Sequence, residues 1–410
     1  MSRALLTLLL LCPLVAFAQS ALERYEAEDY RAAARLGPGE LARAPKGEKA
    51  DQLRLAVANS LAWTGDYDPA IEQYRGLFGT RYDTDARIGL ANVLRWRGQA
   101  DLAEPYYREV LARDPDNAEA QLGRAMGGRE LRPAITGRGS RTADNQGVSV
   151  NEFGASYRRW TDDLRARWEV GALSGRMDSP QGNFSPRGAQ GSLWLPQAPL
   201  APKFEAFTYD NGAVGTRLFG AAQIEPLRDK LRLRLARVDW GRQAFSGAAT
   251  RDGLTAAMLG ISGETGTSLG QVRGRLDAYD VSDDNRVLDG EASITPAWQP
   301  LPWQLKWSSG VTARHADRED PRYWSPHPAY GVVFLGLQRG WYLDRLDLTA
   351  SIRRSFTFTE TAGDGWNVGL SGRYWLAKAL AIGVEAWAVD APRPTPYTMH
   401  QVAAFVQQLW

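Results

Sequence analysis

Apolar residues along this chain follow two different periods. From residue 20 to about 128 they recur at the three-to-four spacing of amphipathic helices. From about Arg132 to the end they alternate with polar residues one for one. Leu164, Ala166, Trp168, Val170 and Ala172 alternate with Arg165, Arg167, Glu169 and Gly171. The same pattern returns at Trp303–Arg314, where Lys306 takes a polar position, and at Arg345–Arg353. It returns again at Trp366–Tyr374 and Leu380–Ala386. These periods predict a helical segment followed by many strands with one apolar and one polar face. The first 18 residues fit neither pattern. Arg3 precedes an apolar run from Ala4 to Val15, and Ala16-Phe17-Ala18 reads as a small-residue cleavage site. That run is shorter than the ~20 residues a spanning helix needs, which disfavours an uncleaved anchor. The expected division is therefore a signal peptide at 1–18, a helical domain at 19–130 and a strand domain at 131–410.

Within the helical segment, Leu61-Ala62-Trp63-Thr64-Gly65-Asp66-Tyr67 leads into Ala70 and Tyr74. Leu94-Arg95-Trp96-Arg97-Gly98-Gln99-Ala100 leads into Ala103 and Tyr107, with Pro115 closing the unit. Gly65 and Gly98 lie 33 residues apart. Glycine permits a tight turn between paired helices, alanine lets them approach, and the aromatic fills the gap to the next pair. A third unit opens at Asp116-Asn117-Ala118. These motifs resemble the tetratricopeptide repeat, whose period is about 34 residues. The resemblance leaves two roles open for residues 19–130: a plain stack of helical hairpins, or a docking surface.

Strands with alternating faces also build soluble sandwiches. Three features favour a transmembrane antiparallel barrel here. The polar face carries charged groups, as a wet lumen allows. The strands run to the ~9–11 residues of a tilted crossing. Connections also alternate in length: short at 160–163, 197–202, 225–230, 263–268, 298–302, 339–341 and 376–379, and mostly longer between them. Short periplasmic turns and long outer loops are the signature of an outer-membrane barrel. The count is about sixteen strands, with Met399–Trp410 last. An even number returns the C-terminus to the side where the chain entered.

Charge and composition narrow the functional classes. There are 49 basic and 47 acidic residues, without the basic excess of a nucleic-acid binder. Cys12 is the only cysteine and lies in the signal, so no disulfide, thiol nucleophile or cysteine metal site is expected. Of 15 Trp, thirteen lie beyond residue 131. Trp160, Trp194, Trp298, Trp341 and Trp375 near short turns, with Trp240 and Trp366 near long loops, read as interfacial girdles. A sharper alternative has inward Trp375 and Trp387 stacking on sugar rings.

Parity assigns lumen-facing charges along a candidate polymer path. The basic ones are Arg165, Arg167, Arg232, Arg234, Arg273, Arg275, Lys306, Arg314, Arg345, Arg353 and Arg373. The acidic ones are Glu169, Asp277, Asp289, Glu291, Asp347 and Glu385. This excess of basic groups would favour neutral or anionic solutes; equally, the charges would brace the wall as ion-pair ladders. Trp410, with Val402, Ala404 and Val406 on its face, resembles the terminal signal read by the barrel-assembly machinery.

Catalysis finds no template. None of His315, His327 and His400 is followed two residues later by serine, and the two histidines near Asp317, Glu319 and Asp320 match no metal spacing. That loop reads as solvated and acidic. No cofactor is expected.

Tyr323-Trp324-Ser325-Pro326, followed by Tyr330, is similar to a block in YaiO-type outer-membrane barrels. The whole layout resembles exopolysaccharide-export porins of poly-N-acetylglucosamine and cellulose secretion, in which periplasmic repeats precede a barrel. The resemblance implies polymer passage through the barrel, with the repeats contacting polymer or secretion proteins of the periplasm and inner membrane. The competing expectation is a non-conducting structural or interaction protein, or a surface receptor for phage or adhesion.

Overall fold

The computed structural model describes residues 20–410 apart from 228–229, 268, 300, 302–304, 328, 344, 360–363 and 392–396. The signal sequence and Trp303 of an expected strand lie outside the described residues. The chain divides into two compact units between Glu130 and Leu131.

The first unit is all helix: α1 (Ala21–Glu26), α2 (Tyr30–Leu41), α3 (Glu48–Thr64), α4 (Tyr67–Arg75), α5 (Asp83–Trp96), α6 (Ala100–Arg113) and α7 (Ala118–Leu131). Ser20 and Glu23 form a reciprocal cap that starts α1. The pairs α3/α4 and α5/α6 repeat one design. Gly65 and Gly98 take φ of +91° and +72°, which a side chain would strain. They let the Asp66 and Gln99 amides close back onto the Leu61 and Leu94 carbonyls at 2.8 and 2.9 Å. Ala70 and Ala103 are fully buried. The Tyr74 hydroxyl donates to Asn59 Oδ1 at 2.8 Å, and that of Tyr107 to Asn92 Oδ1 at 2.7 Å. Each tyrosine ring lies on a glycine of the following unit. A Cβ on Gly89 would come 2.4 Å from the Tyr74 ring, and one on Gly123 would come 2.5 Å from Tyr107. Glycine here makes room for the aromatic that seals successive pairs. At the third unit, Asn117 Oδ1 accepts from the Ala120 amide at 3.0 Å and so caps α7.

The second unit is a closed antiparallel sheet. Its strands are β1 (Ala134–Asp144), β2 (Ser149–Trp160), β3 (Arg167–Ser179), β4 (Gly182–Phe184), β5 (Arg187–Trp194) and β6 (Lys203–Asp210). They continue with β7 (Thr216–Leu227), β8 (Leu231–Asp239), β9 (Thr255–Thr267), β10 (Gly270–Val281), β11 (Arg286–Pro296) and β12 (Lys306–Ala316). The last are β13 (Tyr330–Tyr342), β14 (Leu346–Thr357), β15 (Gly365–Ala377), β16 (Leu380–Ala391) and β17 (Tyr397–Leu409). Each pairs with its neighbours, and β1 pairs with both β2 and β17. The three-residue β4 only prolongs the β3–β5 hairpin, so sixteen strands close the ring and leave no edge. The closing register runs from Ala134 opposite Leu409 to Asp144 opposite Met399. Both chain ends thus enter the barrel at the end that carries the short turns.

Cross-strand partners share a face, so the registers sort every strand residue into one of two sets. One set contains Phe153, Leu218, Leu235, Leu370 and Val402, all strongly exposed. The other contains Arg353 on β14, which reaches Glu291 on β11 at 3.3 Å. Only the concave side brings strands three apart that close. The polar set therefore lines the interior, and the apolar set forms the outer band.

Turn placement corrects three expectations. Arg165 precedes β3 and pairs with Asp163 inside the 161–166 turn, 3.6 Å away. Arg345 is exposed in the turn before β14, where its carbonyl accepts the Trp375 amide at 2.8 Å. Both therefore sit in rim turns beyond the strand ends rather than on the barrel wall, where polar residues extend the alternation past the strands. Residues 339–341 lie within β13, which runs to Tyr342 before the chain returns in β14 from Leu346.

Candidate functional site

The registers place Arg167, Glu169, Arg232, Arg234, Arg273, Arg275, Lys306, Arg314, Asp347, Arg353, Arg373, Glu385, Trp375 and Trp387 on the interior face, along with Asp277, Asp289 and Glu291. Most of the cations are tied to acids. Arg275 bridges Asp277 and Asp289 at 2.6 and 2.7 Å. Arg138 holds Glu385 at 2.8 Å. Four inward acids absent from the sequence reading complete the network. Glu205 takes Arg234 and Lys203, Glu225 takes Arg232, Glu264 takes Arg273, and Glu152 takes Arg242. The interior is therefore closer to charge balance than the strand alternation indicated. Their strands alternate weakly, because small or polar residues such as Asn151, Ala155, Ala206 and Gly263 take outward positions. Glu169 borders a cavity of about 300 Å³, together with Arg138, Glu152, Gln190 and Arg242.

The tryptophans split by environment. Trp298 and Trp366 are exposed, as girdle residues would be. Trp160, Trp194 and Trp240 face inward instead. Trp160 is buried 5.8 Å from Trp194, with the Arg167 guanidinium 4.7 Å from the Trp194 ring centre. Trp375 faces inward but packs into a dry cluster with Ala134, Ala381 and Leu409 where first and last strands meet, so its ring is not open to a sugar. Trp387 stays half-buried, its Nε1 donating to Gln401 at 3.0 Å.

The long-loop end holds a feature without a signal in the strand pattern. Residues 240–254 carry two short helices, α8 (Trp240–Gln243) and α9 (Gly247–Arg251), and fold inward as a strap. Trp240 is 1% exposed and packs between Tyr279 and Tyr323, with ring centres 5.1 and 5.4 Å away. Beyond it the strap leaves its own wall. Arg242 reaches Glu152 on β2 at 3.1 Å, and Phe245 packs on Val148, Met177 and Phe184. A Cβ on Gly247 would lie 2.2 Å from Ser179 Oγ at the end of β3, so only glycine allows this approach. The strap thus ties the β8/β9 wall to strands four and five places away around the ring.

The loop after β12 meets the strap from the other side and carries Tyr323-Trp324-Ser325-Pro326, with Tyr330 opening β13. The Ser246 hydroxyl donates to the Arg322 carbonyl. The Tyr323 hydroxyl accepts from Asn285 at 3.0 Å and donates to Asp283 at 3.1 Å. The Asp320 amide donates to Ser325 Oγ, and the Pro326 carbonyl accepts the Ala316 amide at 2.9 Å. Trp324 stands edge-on to Tyr330 at 5.0 Å. This loop is only in part the solvated acidic stretch expected: Asp317 and Glu319 are exposed, but Asp320 is drawn into the packing. Arg322 bonds Asp283 and Asp320 at 2.6 and 2.7 Å, and its hydrogen bonds hold the Asp320 carboxyl below the usual range.

Between strap, loop and the β16–β17 wall remains a cavity of about 900 Å³, reaching from Arg314 and Tyr330 to Val389, Tyr397 and Met399. That is at the upper end of small-ligand sites, roughly 300–1,000 Å³.

No family model matches the sequence, and no curated protein does. Among solved structures, the chain is similar to one described as a bacterial polysaccharide outer membrane secretin. Identity is 12%, the TM-score is 0.53, and the match covers 68% of this chain and 99% of that one. Similarity to OpdR of Pseudomonas aeruginosa has 10% identity and a TM-score of 0.35, over 68% of this chain and 96% of that one. For OprD of the same organism the values are 10% and 0.36, over 67% and 94%. At such identities the likeness is one of fold, and the fold of the C-terminal unit is that of an outer-membrane β-barrel.

Proposed function

We propose that this chain is an outer-membrane conduit, porin-like, for export of an extracellular polysaccharide. In this reading residues 1–18 are a cleaved export signal. Residues 19–130 are tetratricopeptide-like repeats in the periplasm that dock polymer or secretion proteins, and the barrel is of the YaiO type. Outer-membrane lipid meets the apolar band, and the strand ending at Trp410 is read by the barrel-assembly machinery. The chain itself performs no catalysis.

The observation that carries the proposal is the closed ring whose interior is polar and charged, with a sizeable cavity left between the two inward-folded loops at its mouth. Sixteen strands enclose a lumen wide enough for an aqueous path. The likeness to a polysaccharide outer membrane secretin supports a glycan as the cargo. The strap supports a second reading, in which the barrel is closed and anchors the repeats for an envelope complex. Planar-bilayer recording of the purified protein separates the two. Steady current that a soluble oligosaccharide blocks is expected; a silent barrel that stays silent after the strap is deleted refutes the conduit.

A further inference from the structure

The mouth cavity brings together groups that select a ligand class. Arg314 is the telling one. Its side chain is 17% exposed and lines the cavity, and its guanidinium carbon lies 5.0 Å from the centre of the Trp324 ring. Its nearest carboxylate, Asp289, is 3.6 Å away, beyond hydrogen-bond distance, and is already held by Arg275 at 2.7 Å. Its Nε is buried without a partner. A guanidinium presents five N–H donors, and leaving such donors unbonded while buried is costly. Nε itself is out of reach, so oxygen acceptors arriving in the cavity would meet the terminal amino groups of Arg314.

The rest of the lining tells which acceptors. Formal charges cancel, with Arg314 and Arg322 against Glu319 and Asp320, and Arg322 is bonded to Asp320. The amides of Gln146, Gln181 and Gln243 offer both donors and acceptors around the rim. Trp324 and Tyr397 add aromatic surface. A site with no net charge gains little from a carboxylate or ammonium group, which would lose its hydration on entry. A ring carrying many hydroxyls and one apolar face fits all three kinds of group at once.

We infer that this cavity is a subsite for a neutral pyranose residue. Sugar hydroxyls accept from Arg314 and exchange hydrogen bonds with the rim amides, and the apolar face of the ring lies against the aromatic side. The inference rests on the conduit reading, to which it adds a cargo class: a polymer of neutral sugars.

The test uses the full chain in detergent micelles, with intrinsic tryptophan fluorescence and calorimetry as readouts. The probes are neutral hexasaccharides of glucose, N-acetylglucosamine, mannose and galactose, set against hexagalacturonate. At least one neutral probe is expected to bind with a millimolar dissociation constant, more tightly than the uronate. Arg314→Gln weakens that binding about tenfold or more, the loss expected for hydrogen bonds from a charged donor. Ala329→Trp, which fills the cavity without touching an ion pair, abolishes it. Heat-modifiable mobility on gels verifies that each variant is folded. Binding of no neutral probe, tighter binding of the uronate, or unchanged affinity in Ala329→Trp overturns the inference. Bilayer current keeps the two readings apart. A conducting barrel that no hexasaccharide occupies sinks the subsite alone, and a silent barrel that still binds one sinks the conduit alone.

Discussion

Leu370 and Ser371 are neighbours in β15, yet the register sends them to opposite sides of the wall, and this makes them a test of the whole assignment. Leu370 pairs with Ala350 and Ala386 on the outer band and is 42% exposed. Ser371 pairs with Thr349 and with Glu385, inside. The strand has 13 residues. At ~3.3 Å per residue and a tilt of ~40° it rises ~33 Å, close to the ~30 Å hydrocarbon thickness. Leu370 is the sixth of these residues and so lies close to the bilayer midplane. Arginine at a lipid-facing midplane position costs ~2–4 kcal/mol. Leu370→Arg is therefore expected to shift the folding equilibrium in liposomes by ~30- to 1,000-fold. Ser371→Arg would enter a wet interior beside Glu385 and cost less than ~1 kcal/mol. Urea titration of folding into phospholipid vesicles, read by heat-modifiable gel mobility, measures both. Equal costs, or a larger cost for Ser371→Arg, would refute the facing and with it the membrane reading.

Three further outcomes follow from individual contacts. Gly247→Val places a side chain where Ser179 stands, so the strap should undock; larger single-channel conductance and faster proteolysis within 240–254 are expected, and unchanged conductance would show that the strap does not limit the path. Gly89→Ala pushes a methyl into the Tyr74 ring and should destabilise the helical unit by ~1–3 kcal/mol, seen as earlier loss of the helical circular-dichroism signal on heating the full chain. Asp83 is held down to about 2 from 3.8, first by its hydrogen bond from Arg87 and also by one from Arg113. Because the folded value is the lower, its contribution is complete above about pH 4 and drains away as the pH falls toward 2. Asp83→Asn should flatten the acid sensitivity of that same helical signal in this window, and an unaltered profile would exclude Asp83 as its source.

The inward positions of Arg353, Arg373 and Glu385 were legible because large apolar residues occupy the alternate sites of β14, β15 and β16. On β2, β6 and β9 the outward sites include Asn151, Ala155, Arg159, Ala206, Thr208 and Gly263, so Glu152, Glu205 and Glu264 carried little contrast. Trp160 and Trp194 were misplaced for a different reason. A tryptophan near a strand end serves equally well in the lipid interface or as packing inside the barrel, and the choice depends on which strand lies opposite.

Residue periodicity alone determined the two-part architecture, the repeat of helix pairs and the parity of the barrel wall, since each depends only on spacings of a few residues. Tertiary structure decided where the strap lands, which acid meets which cation and what space remains at the mouth. The strap contacts join distant positions, Arg242 with Glu152 at 90 residues and Ser246 with Arg322 at 76, and no local pattern encodes a pairing at that separation.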